Sequence, residues 1–195
     1  MNAADADRDE AIAARAKAGD RGAFDALVRR HKDGIYRFVR RYVRNADDAY
    51  DILQSCFISA WQGLGRYDPA RPFLRWLRTI ALNKCRDFGR RQAVRGFILR
   101  AFALERAEDP GTVESDPDAE RLARMDRAIA DLPAFYKEPL LLTVVSGLSH
   151  QETADLLKST PKAVEMRLYR ARHKIKIAMH EKTAEEARRD AIEDK

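Results

Sequence analysis

The apolar residues of this chain recur at steps of three and four and nowhere alternate over a stretch long enough to make a strand, so the cores it can build are faces of helices. Phe24, Leu27, Val28, Ile35, Phe38, Val39 and Tyr42 form one such stripe, and Gly19-Asp20 supplies a stop and a restart just before it. Ala49, Ile52, Leu53, Cys56, Phe57, Ala60 and Trp61 form a second stripe, preceded by Asn45 as a candidate helix cap. Gly63, Gly65, Asp68-Pro69 and Pro72 then punctuate a loop, after which Phe73, Trp76, Leu77, Ile80 and Ala81 mark a third helix. The expected fold class is all-α.

Charge divides these helices into two groups. Residues 71–100 hold nine Lys or Arg against Asp87 alone, residues 105–120 hold seven acids against Arg106, and residues 158–176 hold seven bases against Glu165. The acidic stretch contains Pro110, Gly111 and Pro117 and no apolar period, which reads as a flexible linker between two small helical domains. The expected boundaries are 11–95 for the first domain, 96–119 for the linker, 120–182 for the second domain and 183–195 for a C-terminal tail. A net charge of +6 over 195 residues favours polyanionic partners.

The two cysteines, Cys56 and Cys85, fit neither a disulfide framework nor the spacing of a structural zinc site. The start, MNAADADRDE, lacks the basic and apolar segments of a secretory signal, and the longest apolar run, residues 140–145, is too short to span a bilayer. Those features lead us to expect a cytoplasmic protein without membrane insertion.

The most specific local signal lies in the second half. Ser149 with Glu152 fits a capping box, a short helix continues through Leu157, and Ser159-Thr160 before Pro161 supplies a second cap with proline in the first helical turn. This is a helix-turn-helix. In the helix from Pro161, Val164, Leu168, Ala171 and Ile175 share one side, leaving Lys162, Met166, Tyr169, Arg170 and His173 on the other. Such a face can enter a major groove, with Arg and Lys binding phosphates or guanine and Glu165 accepting from cytosine. A basic helix that merely faces solvent is the competing reading, and the capped helix and tight turn before it favour DNA.

In the first basic block, arginines interleave with Phe73, Trp76 and Phe88, a composition suited to unstacked single-stranded bases. Phe73 and Trp76 also share the apolar stripe, where plain core packing is the simpler assignment. Asn83 lies amid Ile80, Ala81 and Leu82, which places it on the buried side, with a structural hydrogen bond or a base contact both open. Cys56 reads as core, whereas Cys85 in its basic helix leaves a lowered thiol pKa and a redox role open. The four histidines form no i,i+4 pair, and no phosphate loop, nucleophile elbow or catalytic carboxylate pair is present.

Taken in order, Gly19-Asp20 with Ala23-Phe24 and Leu27, the run Asp48-Ala49-Tyr50-Asp51-Ile52-Leu53-Gln54 with Phe57 and Trp61, the run Phe73-Leu74-Arg75-Trp76-Leu77 with Ile80-Ala81-Leu82-Asn83, and Gly147-Leu148-Ser149 through Arg172 resemble bacterial sigma factors of the extracytoplasmic-function group, over residues 11–179. The resemblance implies a specificity subunit of RNA polymerase that is not an enzyme, needs no cofactor or metal, and retains only the second and fourth sigma domains. It places Asp48, Asp51, Ile52 and Gln54 on the surface that docks the polymerase beta-prime coiled coil, and gives the second domain the beta flap as its polymerase contact. It assigns Lys162, Glu165, Met166, Arg167, Tyr169 and Arg170 to the -35 element, and Tyr67, Arg71, Arg75, Arg78, Asn83 and Arg86 to capture of melted -10 bases. The acidic linker corresponds to a segment in the polymerase RNA path or to a solvated spacer.

The implied partners are core RNA polymerase, promoter DNA and an anti-sigma factor, and the implied output is a stress-type regulon. Tyr50 and Ser55 stand where the family commonly has acids, Lys158 where glycine is common before the turn, and Glu165 where a base is frequent, which points to an altered -35 preference. A sigma mimic that titrates an anti-sigma factor would not need the basic Lys162, Arg167 and Arg170. A plain helix-turn-helix regulator would not need the Asp48–Gln54 and Phe73–Asn83 motifs.

Overall fold

A computed structural model describes the backbone of residues 3–101 and 117–193, and the side chains of residues 9–95 and 119–180. The described residues are helical and contain no strand. They fall into two compact units, Met1–Glu105 and Arg106–Lys195.

The first unit contains α1 (Ala3–Lys17), α2 (Arg21–Tyr42), α3 (Ala46–Gly63), a 3-10 turn at Leu64–Arg66 and α4 (Phe73–Ala101). Each start is fixed by chemistry next to it in sequence. Asp20 Oδ1 accepts from the Ala23 N–H at 3.0 Å, which satisfies one of the donors a helix leaves unpaired at its beginning. That bond, with the Arg15 guanidinium beside it, holds the Asp20 carboxyl below the usual range. Asn45 Oδ1 likewise accepts from the Asp47 and Asp48 N–H groups at 2.6 and 3.2 Å. Asp47 and Asp48 then place negative charge at the positive end of the α3 dipole.

The stripes read from the sequence become the core. Leu27, Ile35, Phe38 and Val39 of α2 pack with Ala49, Ile52, Cys56 and Ala60 of α3 and with Phe73, Leu77, Ala81 and Cys85 of α4, all buried. Ala13 and Ala16 let α1 lie close against this bundle, because neither carries more than a methyl group.

The second unit contains α5 (Pro117–Ala130), α6 (Ala134–Leu140), a π-helical turn at Leu141–Val145, α7 (His150–Leu157) and α8 (Pro161–Glu193). Pro139 sits inside α6 and cannot donate to the carbonyl four residues back. The ladder widens one turn later, where the Ser146 N–H reaches the Leu141 carbonyl at 3.0 Å and the Thr143 hydroxyl donates to the Pro139 carbonyl at 2.8 Å. Leu140, Leu141, Leu142 and Leu148 from this region pack with Ala154, Val164, Leu168 and Ala171 of α7 and α8.

The expected capping box forms in full. Ser149 Oγ accepts from the Glu152 N–H at 3.2 Å, and Glu152 Oε2 accepts from the Ser149 N–H at 2.8 Å. Thr160 Oγ1 caps α8 by accepting from the Ala163 N–H at 3.2 Å. Between the two helices Lys158 adopts φ +52°, the left-handed conformation that closes α7, and the Ser159 N–H returns to the Ala154 carbonyl at 2.8 Å.

Two helices run past the expected domain boundaries. The backbone of α4 continues through Ala101, past the expected linker start at 96: residues 73–101 hold no proline, and the helix runs on through Gly89 and Gly96. The backbone of α8 continues to Glu193, past 182. Residues 102–116, which hold most of the expected linker, lie outside the described residues.

Candidate polymerase and nucleic-acid interfaces

The α8 face is built by burying one side of the helix. Val164, Leu168 and Ala171 are at most 2% exposed, so Lys162, Glu165, Met166, Tyr169 and Arg170 are left facing outward, with Tyr169 67% exposed and Met166 46% exposed. Large apolar and aromatic side chains held in water beside lysine and arginine form a surface suited to base edges and thymine methyls. Arg167 is half-buried on the flank of that face, its guanidinium carbon 4.0 Å from the centroid of the Phe135 ring.

In the first unit the loop between the 3-10 turn and α4 is tied at three places. Lys17 Nζ donates to the Tyr67 carbonyl at 2.8 Å, the Tyr67 hydroxyl donates to the Arg71 carbonyl at 2.6 Å, and Glu10 Oε1 accepts from the Phe73 N–H at 2.8 Å. Glu10 and Lys17, two turns apart on one face of α1, therefore hold both ends of a loop 63 and 50 positions away. Glu10 Oε2 is buried without a hydrogen-bond partner, a desolvation cost borne by the carboxylate that caps α4. Beside it, Asp9 is buried against Arg30 and His31, with His31 Nε2 2.8 Å from Asp9 Oδ2 but off the line of a hydrogen bond. Burial pushes the His31 imidazole below its ordinary pKa, and this outweighs the opposing pull of Asp9.

The structure relocates several residues expected at the -10 surface. Tyr67 is 1% exposed and packed against the Phe73 and Trp76 rings at 5.6 and 5.1 Å, with its hydroxyl raised to a pKa of about 12 chiefly by burial, so it shapes the loop from inside and offers no ring to a base. Asn83, expected on the buried side, is exposed, because α4 buries Leu77, Ala81, Leu82 and Cys85 around an axis that turns Asn83 away. Arg71 is exposed and pairs with Asp68 at 3.5 Å, whereas Arg75, Arg78 and Arg86 are half-buried along one strip of α4. Phe73 is core, and Trp76 is half-buried at its edge. Cys85 is fully buried, which removes the accessible thiol that a redox role requires, and burial pushes the Cys56 thiol up to about 12.

On α3 the expected docking residues divide the same way. Asp51 and Gln54 are exposed and Asp48 is half-buried, but Ile52 is 7% exposed and belongs to the core, since it shares the stripe of Ala49 and Cys56. Next to Asp51, Tyr50 is 53% exposed and its ring lies 4.6 Å from that of Tyr36 on α2. Sequence reasoning missed Glu10, Lys17, Tyr36 and Phe135, whose roles arise from contacts distant in sequence; the acidic pair Asp9-Glu10 within an otherwise alanine-rich helix was the only local sign.

Residues 27–95 match the family described as Sigma-70 region 2, and residues 122–175 match Sigma-70, region 4. The RNA polymerase sigma factor CnrH of Cupriavidus metallidurans is 38% identical over 183 residues, covering 90% of this chain and 95% of its own. The chain belongs to the extracytoplasmic-function sigma factors of the sigma-70 family. The ECF RNA polymerase sigma factor SigD of Mycobacterium tuberculosis is 33% identical over 180 residues, covering 87% of this chain and 83% of its own. Among solved structures, that of CnrH in complex with the cytosolic domain of CnrY is similar at a TM-score of 0.68 and 31% identity, covering 88% of this chain and 97% of that one. As a sigma factor the chain is a non-enzymatic transcription initiation factor, with region 2 and region 4 domains of the kind that bind RNA polymerase and promoter DNA. Among the described residues no helix is long and apolar enough to cross a membrane, and no group of three or more potential metal ligands is brought together.

Proposed function

We propose that this sigma factor directs core RNA polymerase to promoters carrying both -35 and -10 elements, melts the -10 region, and starts transcription of a stress-type regulon in the cytoplasm. Residues 11–95 dock the beta-prime coiled coil through Asp48, Asp51 and Gln54, with Ile52 supporting them from the core. The same domain takes melted -10 bases on the loop from Gly65 to Pro72, which carries Arg71, and on the arginine strip of α4, Arg75, Arg78 and Arg86, with Asn83 beside it. Residues 120–182 contact the beta flap and insert α8 at the -35 element, with Lys162, Glu165, Met166, Tyr169 and Arg170 facing the bases. Residues 96–119 connect the two.

The observation that carries this reading is the α7-turn-α8 geometry, a capped helix, a three-residue turn opened by left-handed Lys158 and a recognition helix that buries three small or branched residues while exposing cationic and aromatic ones. Extruding a base costs a few kcal/mol of stacking, and a loop already tied in place returns more of that cost than a mobile one, because less conformational entropy is lost on binding. The solved complex of CnrH with the cytosolic domain of CnrY supports control of this chain by an anti-sigma factor. The experiment is co-elution with core polymerase. The wild-type chain is expected to form a holoenzyme and Asp51→Arg to lose it at unchanged helicity, and normal co-elution of Asp51→Arg would contradict the docking assignment.

A further inference from the structure

Arg167 and Lys174 stand seven residues apart on α8, two turns or about 10.5 Å along the axis. At about 100° per residue they share one flank, roughly a quarter-turn away from the outward face of Lys162, Met166, Tyr169 and Arg170. Each has an aromatic ring of α6 beneath it. The Arg167 guanidinium carbon lies 4.0 Å from the Phe135 centroid, and Lys174 Nζ lies 5.7 Å from the Tyr136 centroid. The two rings meet edge to face, with centroids 5.2 Å apart and planes at 83°.

Phe135 is 53% exposed, and its ring has a cation over its face within the roughly 6 Å over which such pairs attract. Stacking engages the flat face of a guanidinium and leaves the N–H donors in its plane, which are the donors that grip a phosphate. Base edges are reached from the outward face of a recognition helix, and the sugar-phosphate strands are reached from its flanks.

We infer that Phe135 and Tyr136 are positioning residues that hold Arg167 and Lys174 as two phosphate clamps beside the recognition helix, so that this pair fixes the register of α8 on the duplex and reads no base. The inference rests on the proposed entry of α8 at the -35 element, and it moves Arg167 from base reading to backbone contact. Each clamp releases condensed counterions from the DNA, and that release is visible as the salt dependence of binding.

The test uses holoenzyme assembled from the full chain and core polymerase, on linear fragments of a promoter located by mapping transcript 5′ ends. Binding constants are measured across a potassium chloride series on the intact -35 element, on its single-base-pair variants and on a scrambled element. Arg167→Gln is expected to lower the magnitude of the salt slope by about 1 and to weaken every fragment by the same factor. Phe135→Leu keeps an apolar side chain of similar size and removes the ring face, and it is expected to weaken all fragments by about three- to tenfold through the same loss of slope, with Phe135→Tyr restoring both.

Loss of discrimination at one base pair in Arg167→Gln with an unchanged slope would make Arg167 a base reader and overturn the clamp. Phe135→Leu behaving as wild type in slope and affinity would overturn the positioning role. A wild-type holoenzyme that binds intact and scrambled -35 fragments equally would instead refute the entry of α8 on which the clamp rests, so the two failures are told apart.

Discussion

Replacing Glu10 by alanine should loosen the -10 loop from a distance of 63 positions. Glu10 Oε1 accepts from the Phe73 N–H at 2.8 Å, and Phe73 opens α4 directly after Pro72 with its side chain fully buried. Hydrogen bonds to a charged acceptor contribute roughly 1.5–3 kcal/mol, and the lower end applies here because Glu10 is only half-buried and water can reach part of the site. A cost of about 1.5 kcal/mol raises the open population of the loop about tenfold and lowers the melting temperature of a unit this size by about 6–12 °C. Glu10→Gln keeps a neutral acceptor of about half the strength, so its effect should be about half as large. The assay is hydrogen exchange of the full chain, followed in peptides covering residues 64–76, alongside thermal unfolding by circular dichroism. Faster exchange confined to that segment, in the order alanine above glutamine above wild type, is the expected result. Unchanged exchange at residues 64–76 in Glu10→Ala would refute the reasoning, and equal effects of the two substitutions would show that the carboxylate charge is not what caps α4.

Lys158→Gly should stabilise the second unit by about 0.5–1 kcal/mol, since it relieves a left-handed non-glycine residue at φ +52° while giving back part of the gain as chain entropy; a lower unfolding temperature would contradict this. Because burial holds the His31 imidazole below its ordinary pKa, the unfolded chain takes up that proton first as the pH falls, so this contribution to stability is full at neutral pH and is lost below about pH 6.5, by at most about 1.4 kcal/mol per pH unit. The groups around it are Asp9, which opposes the shift, and Arg30 and Arg78, which add to it; His31→Gln should flatten the melting temperature between about pH 7.5 and 5.5, and an unchanged slope would remove the assignment. Arg170→Ala should cost about 1–3 kcal/mol in discrimination at one position of the -35 element, and uniform weakening across all sequences would show that it binds phosphate instead.

What the sequence made legible was local. Asp20, Asn45, the Ser149–Glu152 box and Thr160 act on N–H groups two or three residues away, so their spacing alone discloses the helix starts. The stripe of Val164, Leu168 and Ala171 fixed which side of α8 faces out for the same reason. Asn83 was misplaced because apolar neighbours in sequence are not neighbours on a helix face, and three consecutive residues point in three directions. Tyr67 sits in a Gly, Asp and Pro-rich stretch that reads as a surface loop, and only the packing of Phe73 and Trp76 with the Lys17 strap draws it inside. The π-helical turn was likewise hidden, since Pro139 announces a break but not the register in which the ladder resumes. Phe135 and Arg167 are 32 positions apart, and no periodicity connects them.

Transcription in vitro tests the central claim most directly: purified chain and core RNA polymerase are placed on fragmented host DNA, and transcript 5′ ends are sequenced against core polymerase alone. The account predicts new start sites that share two upstream elements, the distal one losing its preference at one position in Arg170→Ala. A folded chain that co-elutes with core polymerase yet yields no new start sites would contradict it.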